Sequence, residues 1–306
     1  MNWMPRRITP TPAPATQPQP QSQGVSKRQL WSLAMAAAVL LGADGFSAGL
    51  SAQTLRASSQ RWLDVREARG SVTYLTGSGG RPAKAGDRLT QVGQGIRTGA
   101  GSSAIINVDD GIGIVRVSEN TNLTVSRLST LSNGGKVTEM NVTTGQARLQ
   151  VRRFNNPSSR LQIQTPAGVA AVRGTEFGVT VSSLSGKLGM ATTQGAVEVS
   201  AQNQTVLMEP NQYSTINPGE PPTPPQVFNP NSVRFDVQQM LRRGSDQVQI
   251  QALTDPPNLL FVNGQPLEVA KTGLVEAIVP IQAGGSVNVL VRNPIGVERV
   301  YQLVVP

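Results

Sequence analysis

The sequence predicts an all-β protein of two modules. A large stacked one, solenoid-like or a sandwich, is followed by a small β-sandwich, and a Pro-rich linker and a short helix join them. Three observations predict this. Apolar and polar residues alternate at period two in short runs through most of residues 65–306, as half-buried strands require. Gly (31 residues) and Pro (22) recur between those runs, where tight turns need them. Aromatic residues are only 4% of the chain, which favours turn-rich β structure over an aromatic-rich binding surface.

Residues 1–26 are rich in Pro, Gln and Thr and are expected to form a disordered tail. Lys27-Arg28 then precede the apolar run Leu30–Leu41, and small residues follow, so residues 27–52 read as a signal peptide or a membrane anchor. Cleavage after Ala52 makes the rest an exported protein, periplasmic or extracellular. Retention instead anchors it in the inner membrane, although the run is shorter than the ~20 residues a comfortable span needs. A Pro-rich stretch separates Arg6-Arg7 from the apolar run, so the pair does not read as a twin-arginine signal.

Residues 65–217 read as one β domain. Ser103–Val108 and Ile112–Val117 flank the turn Asp109-Asp110-Gly111. Further strands are expected at Leu123–Leu128, Val137–Val142, Ala147–Val151, Leu161–Gln164, Gly178–Val181, Leu188–Ala191 and Val197–Val199. A faint repeat runs through them: Gly70, Gly145 and Gly195 each stand two residues before an apolar residue expected to face inward, Val72, Ala147 and Val197.

The composition turns unusual at Thr165–Val181. Thr165-Pro166 ends an incoming strand, because Pro has no N–H for a ladder. The small residues Ala167, Gly168, Ala170 and Ala171 admit a close neighbouring backbone. A bend is expected at Gly174, with Arg173 and Glu176 near enough to pair across it and Phe177 anchored in the core. Arg173→Ala is expected to lower thermal stability, by several kcal/mol if the pair is partly buried and its loss strands a charge. The other reading makes the bend a recognition edge for a partner protein.

Thr165-Pro166, followed by Val172-Arg173-Gly174-Thr175-Glu176-Phe177, resembles the signature of the FecR family, T-P-x-x-x-x-x-V-R-G-T-E-F. Ile96-Arg97-Thr98-Gly99, Val108-Asp109-Asp110-Gly111 and Gly195-Ala196-Val197-Glu198-Val199 are similar to the family as well. The resemblance covers residues 65–217 and implies an all-β, solenoid-like module. The best-known members are membrane-anchored regulators. Their periplasmic region senses an outer-membrane transporter, and a cytoplasmic segment controls a sigma factor. Here residues 1–29 are Pro-rich and too short for such a folded regulator, so the resemblance implies the module without its output domain.

Residues 218–244 read as linker and helix. Prolines crowd Asn217–Gln226, and Val233, Val237, Met240 and Leu241 fall at i, i+4, i+7 and i+8. Ser232 stands as its cap, Arg242-Arg243 in its last turn, and Gly244 at its end. Residues 245–306 resemble the small immunoglobulin-like modules of exported bacterial proteins. Asn263-Gly264 joins two of the strands and is the strongest short hairpin signal in the chain. About 60 residues are few for such a sandwich, so strands are expected to be missing or borrowed.

The chain has no His and no Cys, which excludes disulfides, imidazole or thiolate metal sites, and His- or Cys-dependent catalysis. Gly99-Ala100-Gly101-Ser102-Ser103-Ala104 matches a dinucleotide-type string, yet a β-branched strand follows where a helix is required. Asp109-Asp110 is the one adjacent carboxylate pair and reads as turn polarity; strand neighbours would point to opposite faces. No Lys stands in an S-x-x-K setting. No catalytic, cofactor or metal residue is therefore assigned, and the protein is not expected to be an enzyme.

Net charge is +9, and +6 beyond residue 52 (23 Lys and Arg less 17 Asp and Glu). The basic residues are scattered, without interleaved aromatics, so no nucleic-acid partner is expected. The reading is an exported protein-interaction or signal-sensing module of the cell envelope. Its partner is another envelope protein, with a weak attraction to an anionic envelope polymer. Two alternatives stand beside it, a single-pass membrane regulator of a sigma factor and a carbohydrate- or peptidoglycan-binding module. For the last, Trp3, Trp31 and Trp62 supply few aromatics.

Overall fold

The computed structural model describes residues 61–109 and 111–305, and the tail and apolar run of residues 1–52 lie outside them. The chain winds back and forth between two facing sheets, I and II. It opens in I with β1 (Leu63–Arg69), crosses to II for β2 (Val72–Thr76) and β3 (Gly79–Pro82), and returns for β4 (Arg88–Leu89). β5 (Gly95–Thr98) lies in II, β6 (Ser103–Val108) and β7 (Gly113–Val117) in I, and β8 (Asn122–Thr130) in II. β9 (Lys136–Val151) runs through both. β10 (Arg160–Gln164) and β11 (Val169–Val172) follow in II, then β12 (Glu176–Val181) and β13 (Leu188–Gln194) in I. β14 (Val197–Ala201) and β15 (Gln204–Met208) return to II, and β16 (Gln212–Ile216) and β17 (Gln226–Val227) close in I.

Sheet I is ordered β4-β1-β6-β7-β9-β12-β13-β16-β17. Sheet II is ordered β3-β2-β5-β8-β9-β10-β11-β14-β15. All these pairs are antiparallel except β9–β10. Alternate residues of both sheets meet in one core that includes Leu63, Ile106, Leu123, Leu149, Ile163, Phe177 and Met190. The stack is thus a two-layer roll: a sandwich in cross-section, laid down in successive windings as in a solenoid.

Two expected strands, Val137–Val142 and Ala147–Val151, are halves of β9. Its first half pairs in sheet II and its second in sheet I, with Gly145 at φ +90° at the corner between them. The other members of the faint repeat, Gly70 and Gly195, stand at corners too, and Val72, Ala147 and Val197 are all buried as expected.

The predicted helix is a strand. β18 (Phe235–Arg243) pairs antiparallel with β19 (Gln247–Thr254), and its register shifts between Val237 and Gln239. The reason is the bulge. Val233 and Val237 stand an even number of residues apart, as a strand face requires. One extra residue then places Met240, rather than residue 239, on the same side. The resulting i, i+4, i+7 spacing copies a helix. Gly244, at φ +74°, turns the hairpin instead of capping a helix.

β18, β19 and β22 (Leu274–Pro280) form one small sheet. β20 (Leu259–Val262), β21 (Gln265–Leu267), β23 (Ser286–Arg292) and β24 (Glu298–Val304) form its partner, in the order β21-β20-β23-β24. The two enclose their own core around Val248, Leu260, Val287 and Val289. Asn263 (φ +49°) and Gly264 (φ +79°) make the expected hairpin turn. β18, from upstream of residue 245, is the borrowed strand.

Both bodies lie in one compact unit. The smaller docks on the outer face of sheet I. The stretch read as a spacer follows sheet I, with β17 paired to β16 and the Thr223 amide bonded to the Thr215 carbonyl. Phe228 and Ile295 pack with Ala191 and Tyr213. Gly178 and Gly189 let backbone approach backbone: a Cβ on the first would lie 1.9 Å from the Pro294 carbonyl oxygen, and one on the second 2.6 Å from that of Pro257. Around them Gln146 Nε2 donates to the Asn293 and Pro294 carbonyls at 2.8 and 2.9 Å, and Thr180 Oγ1 to that of Pro257 at 2.8 Å. Lys187 Nζ donates to Pro256 and Val269 carbonyls and stands 3.4 Å from Glu268. Burial pushes its ammonium below the ordinary lysine range, although Glu268 opposes the shift.

At the other end of this seam Arg292, nearly buried, donates to Glu119 at 2.6 Å and to Glu298 at 2.5 Å. Burial alone would raise the Glu119 carboxyl, but the Gly101 N–H and Arg292 together bring it below its usual range. A lowered folded-state pKa contributes stability above the unfolded pKa, and that contribution is lost as pH falls through the folded one. Glu119→Gln is therefore expected to cost about 2 kcal/mol at neutral pH, the scale of a charge-assisted hydrogen bond. The gap to the parent should close as pH falls below the carboxylate range. Urea melts from pH 7 to pH 3 measure it; a gap that stays constant would remove Glu119 ionisation from the seam's energetics.

Candidate functional site

Residues 165–177 form the passage from sheet II to sheet I. Thr165 Oγ1 accepts from the Gly168 amide and donates to the Gly168 carbonyl, a local turn closed just after β10, with Pro166 exposed. Val172 ends β11 with its side chain in the core. Gly174, at φ +143°, lies in a region that side chains rarely adopt, and a Cβ there would stand 2.5 Å from Arg153 Cα. Thr175 is buried and donates to the Ala196 carbonyl at 3.0 Å. Phe177 is fully buried.

Three crossings stack here. The Phe154 amide donates to the Arg173 carbonyl at 3.1 Å and the Val151 amide to the Thr175 carbonyl at 2.9 Å. Gly195, at the next crossing, packs against the Gly174 carbonyl. The motif's glycine and small residues thus let one winding lie directly on the last.

Arg173 and Glu176 are not paired. The bend falls at Gly174, but it sends its two sides to different sheets. Arg173 is exposed beside sheet II, where its guanidinium donates to the Pro157 carbonyl. Glu176 opens β12 in sheet I and accepts from Arg148, whose Nε is 3.1 Å away. Spacing along the chain does not survive a change of sheet. Arg173→Ala is accordingly expected to alter stability by under about 1 kcal/mol, because an exposed side chain strands nothing. Gly174→Ala should cost about 2–3 kcal/mol through the occupied space and the unfavourable φ. Paired urea titrations decide this: equal losses would reinstate Arg173 as a structural brace.

The motif divides two clefts. On sheet I, a hollow of about 470 Å³ is floored by Asn107, Ile114, Gln150, Glu176 and Gln194, which stand in cross-strand register over five strands. Arg66 and Arg152 stand at its walls. On sheet II, a cleft of about 940 Å³ crosses Gln162, Ala171, Glu198 and Leu207, again in register, under Arg153, Arg160 and Arg173. Sequence reasoning took the basic residues as scattered. The recurrence of Arg at 153, 160 and 173 was the signal for a basic face.

Other candidates resolve into structure. Asp109 is buried and holds Arg61 in an ion pair, with Nη2–Oδ2 at 2.7 Å, while Asp110 lies outside the described residues. The glycine string at Gly99–Ala104 forms the turn into β6, and Gly101 donates its amide to Glu119. Trp62 lies under the Arg88 guanidinium, 4.4 Å from its ring centroid.

The FecR protein family model matches residues 94–198, which hold the whole motif, all of the sheet I ladder, and the sheet II ladder but for Leu207. Two crystal structures of a protein from Parabacteroides distasonis ATCC 8503, described as an anti-sigma factor, are similar to it at 17% and 19% identity, with TM-scores of 0.37 and 0.36. Each match covers 44% of this chain and 60% of that one. A polysaccharide lyase matches at 11% identity and a TM-score of 0.20, over 80% of this chain and 40% of its own. This chain therefore spans about 60% or less of the solved chains it matches. No curated protein matches it.

Proposed function

We propose that this chain, whose residues 94–198 form a FecR domain, serves in signalling at the cell envelope by binding another protein, without catalysis of its own. The family match to a stretch containing the complete motif carries this reading. The absence of His and Cys from the sequence supports the non-catalytic part, because the commonest nucleophile and base are missing. The Lys27-Arg28 and Leu30–Leu41 order supports export. The same run also supports the second reading, a single-pass membrane regulator of a sigma factor.

Fractionation of cells making C-terminally tagged protein, with intact-mass measurement, separates the two. A soluble product starting near Gln53 supports the exported module. A membrane-bound product that retains residues 1–52 supports the anchored regulator. Recovery in the cytoplasm with those residues intact would sink both.

A further inference from the structure

We infer that the cleft over sheet II is the docking site for an extended acidic peptide segment of a partner protein; this rests on the reading of the chain as a partner-binding module. Three arginines border it, against one carboxylate, Glu198, among its lining residues. Two of the three charges are not spent on a carboxylate elsewhere. Among the described residues Arg153 has no ion-pair partner, and Arg173 meets only a carbonyl. Arg160 is only partly committed: it stands 3.6 Å from Glu139, which Arg127 shares at the same distance. Guanidinium groups with unused donors favour carboxylates, which accept two parallel hydrogen bonds.

The floor favours a peptide over an acidic polysaccharide. It is apolar and flat at Ala171, Ala196 and Leu207, with Leu131 at the rim and no aromatic ring among the lining residues on which a sugar could stack. From Gln162 to Leu207 the ladder crosses three interstrand gaps, about 14 Å at ~4.8 Å each, the reach of about four extended residues. Apolar ground between arginines suits a segment that alternates acidic and aliphatic side chains.

The cleft opens at Leu207 onto β15, the free edge of sheet II. Edge strands are usually guarded by charge, proline or a bulge. Gln204–Met208 has none of these: it is neutral, free of Pro, and pairs with β14 in unbroken register. Leu207 is 54% exposed. A partner segment leaving the cleft meets unpaired backbone groups there, as in strand addition.

The test uses the full chain and a fluorescein-labelled hexapeptide, Glu-Val-Glu-Val-Glu-Leu, read by fluorescence anisotropy at low and physiological salt. The comparators are its Gln-for-Glu analogue and an oligogalacturonate. The expected result is saturable binding of the acidic peptide that weakens with salt. It should weaken at least tenfold in Arg153→Gln/Arg173→Gln and further in Arg153→Glu/Arg173→Glu, both with unchanged melting temperature. Equal binding of the Gln analogue, no binding at millimolar peptide, or preference for the oligogalacturonate overturns the proposal. Partner recovery from cells is scored separately. A double variant that still recovers its envelope partner refutes the cleft and leaves the protein-binding role standing. Peptide binding with no envelope partner in any assay refutes the role and leaves the cleft.

Discussion

Gly178→Ala is expected to undo the union of the two modules. The new Cβ would fall 1.9 Å from the Pro294 carbonyl oxygen, a backbone atom that cannot swing aside as a side-chain tip would. The same carbonyl accepts from Gln146, so any retreat also breaks a buried hydrogen bond. Overpacking of this kind costs about 3 kcal/mol, and the lost bond adds about 1 kcal/mol. The single calorimetric transition expected of the parent should divide into two, and protease should gain access between residues 217 and 232. Gly77→Ala is the control: nothing stands within 4 Å of a Cβ there, and the change should stay within about 0.5 kcal/mol. If Gly178→Ala melts like the parent, the modules are not docked in solution as they are here.

Asp109→Ala should be comparably damaging. Arg61 is almost wholly buried and donates to the Ser129 and Val137 carbonyls at 2.8 and 2.6 Å, to Thr138 Oγ1 at 2.5 Å, and to Asp109. Removing its carboxylate partner strands a guanidinium away from water, at a cost of about 3–5 kcal/mol. Asp109 also sits at φ +48°, which Ala tolerates poorly. Asp109→Asn keeps that conformation and removes only the charge, so it should cost less than Ala. Arg61→Met/Asp109→Ala should be less unstable than Asp109→Ala alone, because no charge remains to bury. Chemical denaturation of the parent, Arg61→Met, Asp109→Ala and the double variant forms the cycle. A double variant as unstable as the sum of the singles would mean that the two residues act independently.

These two sites show where sequence reasoning stops. The strands of the roll were legible because each buries one face: Phe177, Val179 and Val181 alternate, and all three are buried. The Asn263-Gly264 turn was legible because its chemistry is local. Arg61 and Asp109 stand 48 residues apart, and an Asp-Asp-Gly string looks the same whether its carboxylate faces water or a buried cation. β18 misled because a bulge counterfeits helical spacing, and β9 because Gly145 resembles the end of a strand rather than a corner within one. Gly178 and Gly189 did carry a readable signal: glycine inside a strand marks a close approach. What approached them could not be read, since Pro257 and Pro294 belong to the other module. The motif was found in the sequence, but the basic cleft it borders was not. Arg160 and Arg173 meet through the β10–β11 pairing, and Arg153 joins them only when loop 152–159 folds back beside β11.

The order of windings has a consequence for how the chain is made. Every strand from β1 to β8 finds its neighbours among residues no later than Val151, so this half can finish its layers before the remainder arrives. At that moment β9 is the last strand of both sheets at once, with sixteen residues of backbone awaiting β10 on one side and β12 on the other. An unfinished sheet margin invites pairing with the wrong chain. A chain free to fold up to Val151 while residues 160–181 are still held back would stand at its most vulnerable length, and delivery of those residues is what ends that exposure.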